Sequence, residues 1–161
     1  MLPRKWTWWW EMTPDQQLGP LADIAPLSEP IELLTTEKDF PQFLGPGGRN
    51  HVANVKLQRD WNGHSPDQIW HRRSGAGWSA FAIVGDYAVT MEQRDAIEYV
   101  SCYEVKTGEL VWAHGVPARY ETVLGGIGPR ATPTIYQGYV YALGATGILR
   151  CIDGSNGQLV W

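Results

Sequence analysis

From residue 77 onward the chain consists of short apolar runs broken by turn residues. Ala80, Ala82 and Val84 alternate with Phe81 and Ile83, the pattern of a strand, and Gly85-Asp86 follows as a turn. Tyr87–Met91 reads as a second strand and Tyr99–Val105 as a third. Lys106-Thr107-Gly108 is a turn and Glu109–His114 a fourth strand. No amphipathic helix competes with these runs, so the region is expected to be all-β.

The N-terminal stretch follows other rules. Seven of the 11 prolines fall within the first 46 residues, a spacing that neither a helix nor a central strand survives. Residues 1–38 therefore read as an extended arm, expected to make few contacts with the sheets because its prolines bar ladder pairing. The arm opens with Arg4 and Lys5 beside Trp6, Trp8, Trp9 and Trp10. Indoles next to cations suit the headgroup layer of a bilayer, which would imply an anchor upstream. The plainer alternative is that these rings pack on the chain's own domain.

An internal repeat sets the expected architecture. Cys102–Trp112 aligns with Cys151–Trp161 at an offset of 49, with five of eleven positions identical. Glu104 and Asp153 add a conservative pair. Upstream, Ile83–Tyr87 aligns with Ile135–Tyr139 at an offset of 52, and the difference is assigned to a longer loop around Glu92–Glu98. A unit of about 50 residues and four strands is one blade of a β-propeller. A β-sandwich would not repeat the same turn and the same closing Trp.

The eleven-residue motif has a small residue first, an acid third, Gly108 or Gly157 seventh and Trp112 or Trp161 last. It resembles the tryptophan-docking motif of the PQQ-like (pyrroloquinoline-quinone repeat) β-propeller family. Phe40–Pro46 also resembles the opening segment of bacterial members. The resemblance covers residues 39–161 and departs from the common pattern in placing Cys102 and Cys151 where Ala is usual. It implies an eight-bladed ring, in which the Trp of one blade packs on the Gly turn of a neighbour. On this reading the chain holds blades at about 77–115 and 130–161, with a lone outer strand at about 67–73. It is then the N-terminal part of a longer protein. Equivalent positions in neighbouring blades lie on the order of 10 Å apart, too far for a disulfide, so both thiols are expected to be small buried residues.

Blade geometry gathers Trp78, Glu92, Gln93, Arg94, Glu121, Arg130 and Thr132, together with Ser79, around one axial mouth. Arg94 and Arg130 suit a carboxylate or a quinone oxygen, and Glu92 or Glu121 a general base or Ca²⁺. The alternative is that these charges pair with each other and order the loops. Gly125–Gly128 lacks the strand-to-helix context of a phosphate loop and reads as a flexible connection. His51, His64, His71 and His114 lack metal-ligand spacing, and His71 and His114 are expected at surface strand ends.

Composition narrows the function classes. A formal charge of −4 argues against nucleic acid. No run of 18 apolar residues is present, and the 18 Gly with 9 Trp suit strands joined by tight turns. The family resemblance leaves two expectations. One is a binding or scaffolding propeller of the bacterial cell envelope, periplasmic or membrane-tethered, with a protein or small ligand at the mouth. The other is a PQQ-dependent alcohol dehydrogenase using the quinone with Ca²⁺. Family enzymes carry adjacent cysteines over the quinone, and this sequence has none.

Overall fold

In the computed structural model, which describes residues 11–21, 29–52 and 55–161, the protein is all-β, built of antiparallel sheets. Strands β1 (Ala82–Val84), β2 (Tyr87–Arg94), β3 (Ile97–Glu104) and β4 (Leu110–Pro117) form a four-stranded sheet in sequence order. A small hairpin of β5 (Glu121–Thr122) and β6 (Gly126–Ile127) follows. Strands β7 (Thr134–Tyr136), β8 (Tyr139–Leu143) and β9 (Leu149–Asp153) form a three-stranded sheet. Residues 159–161 run beside β9 through an Ile152–Leu159 bridge, and the Cys151 amide donates to the Trp161 carbonyl at 2.9 Å.

The core lies between the two larger sheets. Val89, Met91, Val100 and Cys102 share one face of the first sheet by register. They cluster with Ile135, Val140, Ala142 and Ile152 of the second, and Trp112 completes the layer. One charged pair crosses this seam. Arg150 Nη2 donates to Glu98 Oε1 at 2.7 Å, with both side chains buried.

The repeat seen in the sequence is repeated in the bonding. Gly108 donates its amide to Glu104, and Gly157 to Asp153, each at 2.8 Å. The Val105 amide reaches Asp86, as the equivalent Gly154 amide reaches Gly138. Each turn then receives an indole. Trp70 Nε1 donates to the Val105 carbonyl at 2.7 Å, and Trp112 Nε1 to the equivalent Gly154 carbonyl at 2.9 Å. A Cβ on Gly108 would sit 2.6 Å from the Trp70 ring, and one on Gly157 2.9 Å from the Trp112 ring. Both glycines also have φ near +70° to +77°, so the turn needs glycine for its backbone and for the close approach of the ring.

Three expectations change. Residues 67–73, expected as a lone outer strand, form no strand and meet the first sheet through side chains instead, Trp70 donating to the Val105 carbonyl and Arg72 to that of Gly108, each at 2.7 Å. The loop placed around Glu92–Glu98 is instead strand, because β2 and β3 continue into it and meet at a two-residue turn with Asp95 at φ 48°. Its polar residues look like a loop in sequence, but they are buried, and their partners lie in the first sheet, in the second sheet and in the segments beside them. The part of the arm within the described residues is not detached either. Leu33 is 2% exposed in the core, the Ile31 amide donates to Ser155 at 3.2 Å, and Asp15 pairs with Arg119 at 2.7 Å. Prolines forbid ladders, but they do not forbid single hydrogen bonds or side-chain burial. Just beyond, Phe40 exchanges two backbone bonds with Ile83, and Pro41 accepts from Ile135, so the segment ties the first strands of both sheets together. Trp6, Trp8, Trp9 and Trp10 lie outside the described residues.

Truncating the buried ring in Trp112→Ala should cost about 3–5 kcal/mol in urea unfolding. Gly157→Val should also destabilise, and the two losses should be less than additive because both remove the same contact. Additive losses would show that the indole and the turn are energetically independent. Leu33→Ala should cost about 2–5 kcal/mol, which a detached arm would not show.

Candidate functional site

The residues expected at one mouth fall into three groups. The first is a buried cluster on the face of the first sheet that points away from the second. Thr90, Glu92, Ser101 and Tyr103 share that face by register. Glu92 is 1% exposed and receives four donors. Ser101 Oγ and Tyr103 OH donate to its Oε1 at 3.0 and 2.6 Å, and Arg94 Nε and the Gly75 amide donate to Oε2. A carboxylate has about four lone-pair sites, so its accepting capacity is filled. Burial alone would raise the Glu92 pKa, but the Tyr103 hydroxyl, the Gly75 amide and the Arg94 guanidinium outweigh it and hold the carboxyl below its ordinary value. Burial and the Glu92 charge push the Tyr103 phenol up. Gln93, fully buried, donates to the carbonyls of Asp95 and Ala118 at 2.9 and 2.8 Å.

The second group sits around the β5–β6 hairpin. Arg130 donates to the carbonyls of Gly125, Gly126 and Gly128, and its guanidinium lies 4.4 Å from the centre of the Tyr120 ring. Far from a flexible connection, Gly125–Gly128 is tied down by this arginine, and a Cβ on Gly128 would clash with the Ala76 carbonyl. Trp78 donates its indole N–H to the Gly125 carbonyl at 3.2 Å yet stays 72% exposed. Thr132 Oγ1 accepts from the Ala80 amide at 3.2 Å. Val123 and Leu124, at the hairpin tip, are fully exposed.

The third group is an ionic clamp. Glu121 pairs with Arg119 at 3.0 Å, and the same guanidinium binds Asp15 and the Asp95 carbonyl, each at 2.7 Å. The arrangement matches the alternative in which these charges order the loops.

Sequence reasoning missed Ser101 and Tyr103, the partners that fill Glu92. Their spacing of two places them on one strand face, but only the pairing with β2 reveals which carboxylate they meet. It also missed Glu98 with Arg150. His114, expected at a surface strand end, is half-buried in β4 with its Nε2 buried and unpartnered. Burial, then the Arg150 charge, lowers its pKa. Cys102 and Cys151 are buried free thiols, and burial pushes Cys102 well up, as suits an inert core residue. His71 is exposed.

No model of a known protein family matches the chain, and no curated protein matches it.

Glu92→Ala should destabilise the fold by about 3–5 kcal/mol, because Arg94 is left as a buried charge without its partner. Since the carboxyl is held below its ordinary value, its contribution is complete above about pH 5 and declines as pH falls through the ordinary glutamate range. Glu92→Gln should therefore flatten the dependence of unfolding free energy on pH between about 6 and 3. An unchanged slope would remove Glu92 from the acid sensitivity of the fold.

Proposed function

We propose that this chain is part of a PQQ-like β-propeller that serves as a binding or scaffolding module of the bacterial cell envelope, with a protein as its partner. The propeller reading is supported by the twice-repeated indole-on-glycine contact, made by Trp112 between the two larger sheets and by Trp70 from the segment that precedes the first. The single observation that carries binding over catalysis is the state of the polar residues. Glu92 has no accepting capacity left, Glu121 is paired with Arg119, and Arg130 is wrapped in the carbonyls of its own loop. What the same region offers outward is apolar, namely Trp78 with Val123 and Leu124. Exposed aromatic and aliphatic side chains on an ordered loop suit a protein interface. The envelope location rests on the family resemblance.

The quinoprotein reading draws no support from these residues. A quinone with Ca²⁺ requires free carboxylate and cationic groups gathered at one place, whereas Glu92 is filled by four donors, Arg130 by the carbonyls of its own loop, and Glu121 lies apart, paired with Arg119. They do not fit the group.

The two readings separate in one set of measurements. With added quinone, Ca²⁺ and a primary alcohol, the protein should neither bind the quinone in calorimetry nor reduce a dye. Dye reduction that Glu92→Gln abolishes without unfolding the protein would establish the dehydrogenase instead. In parallel, Val123→Asp with Leu124→Asp should leave the thermal midpoint unchanged and abolish photocrosslinking to envelope proteins from a probe placed at Trp78. Crosslinking that is indifferent to the pair would remove the hairpin from the interface.

A further inference from the structure

The seam between the two larger sheets carries one ionisable group that the Glu98–Arg150 pair does not use. His114 is the cross-strand partner of Val100, and paired residues of an antiparallel sheet share a face. Its side chain therefore lies on the side of the first sheet that turns Glu98, Val100, Cys102 and Trp112 toward the second. His114 Nε2 is buried and has no hydrogen-bond partner among the described residues. The same holds for Arg150 Nε, on a side chain that is 3% exposed. Burial of the imidazole, and then the Arg150 charge, keep His114 below the ordinary histidine pKa.

The carboxylate on this seam is already committed. Glu98 Oε1 accepts from Arg150 Nη2 at 2.7 Å, and Oε2 accepts from the Ala145 amide at 2.9 Å. The other groups around His114 offer no counter-charge. β3 adds the Cys102 thiol, which burial pushes well up and so keeps neutral. β4 itself adds Trp112 and Val116 on the same face, and the second sheet adds apolar side chains besides Arg150. Asp153 lies at the turn under Trp112, where its Oδ1 accepts from the amide and the hydroxyl of Ser155. A neutral imidazole can meet the guanidinium across the seam without repulsion. An imidazolium cannot, because two cations would then share one committed carboxylate where water is largely excluded.

We propose that His114 is an acid-sensitive latch between the two sheets: neutral, it lets them close over the Glu98–Arg150 pair, and protonated, it pushes them apart and frees the Trp112 indole from the Gly154 carbonyl. Trp112 is the coupled reporter because it lies two residues from His114 on the same face and spans the seam through a 2.9 Å bond. The closed seam disfavours the imidazolium, so the opened chain binds more protons once pH falls below about 6.5, and the seam weakens from there downward. That window opens above the one set by Glu92, whose contribution is complete above about pH 5. The latch depends on the contact between the two larger sheets alone, and neither the propeller reading nor the role of the hairpin enters it.

Hydrogen exchange of the Trp112 indole N–H, assigned through Trp112→Phe, reads the opening of the seam. Corrected for the exchange rate of the unfolded chain, the opening constant should rise at least about threefold between about pH 7.5 and about pH 5.5. His114→Gln, which cannot take up the proton, should hold that constant level over the same range. His64→Gln, at an exposed position beside Asp60, is the control and should keep the full rise. No rise in the unsubstituted chain, or the same rise in His114→Gln, would overturn the latch. The unsubstituted chain also answers alone, should His114→Gln fail to fold. The ring nitrogens of His114, followed by nitrogen NMR, should titrate at a lower midpoint in the folded chain than in urea. A midpoint equal to or above the one in urea would show that closing the seam does not oppose the proton, and would overturn the proposal.

Discussion

An indole laid on a glycine is the contact from which the rest of this structure follows. A tryptophan brings a large apolar area and one N–H that must find an acceptor once buried. The turn at Glu104–Gly108 and its copy at Asp153–Gly157 meet both needs, with a carbonyl for the N–H and a residue without Cβ under the ring. Trp112 lies in β4 and its turn follows β9, so this contact holds the two larger sheets together, while Trp70 ties an irregular segment to the turn of the first sheet in the same way. It also makes small residues useful at the adjoining core position, where Cys102 and Cys151 are buried.

The charges of the chain largely build the fold. Glu92 organises the side of the first sheet that faces away from the second, gathering Ser101, Tyr103, Arg94 and the Gly75 amide. Glu98 and Arg150 join the two sheets from within. Buried carboxylates and guanidiniums invite a catalytic interpretation, but chemistry needs a group with a free lone pair or a free N–H aimed at a substrate. When donors fill a carboxylate, that freedom is gone. What this region leaves exposed is apolar, namely Trp78 with Val123 and Leu124 at the hairpin tip.

The segment around Leu33 to Pro41 shows how an irregular chain contributes as much as a strand. Leu33 enters the core shared by both sheets, and Phe40 with Pro41 bonds to β1 and β7. No periodicity announces this, because the contacts are single and are made by residues of different kinds. Proline content correctly excluded regular structure there and was silent about packing.

The all-β class and the docking of Trp112 were legible in the sequence, because each depends on local chemistry that recurs: alternating strands, a glycine turn and a closing tryptophan. Such features are written in residues a few positions apart and repeat at a fixed offset. The fate of the polar residues was not legible. Glu92 reads equally as a loop acid, a base or a calcium ligand until the pairing of β2 with β3 brings Ser101 and Tyr103 to it. Glu98 and Arg150 are 52 positions apart, and His114 lies half-buried near them only because the sheets stack as they do. Whether a charged side chain is free or bound depends on what lies across the sheet or across the seam, and distance along the chain carries no record of that. The tertiary structure alone decided it.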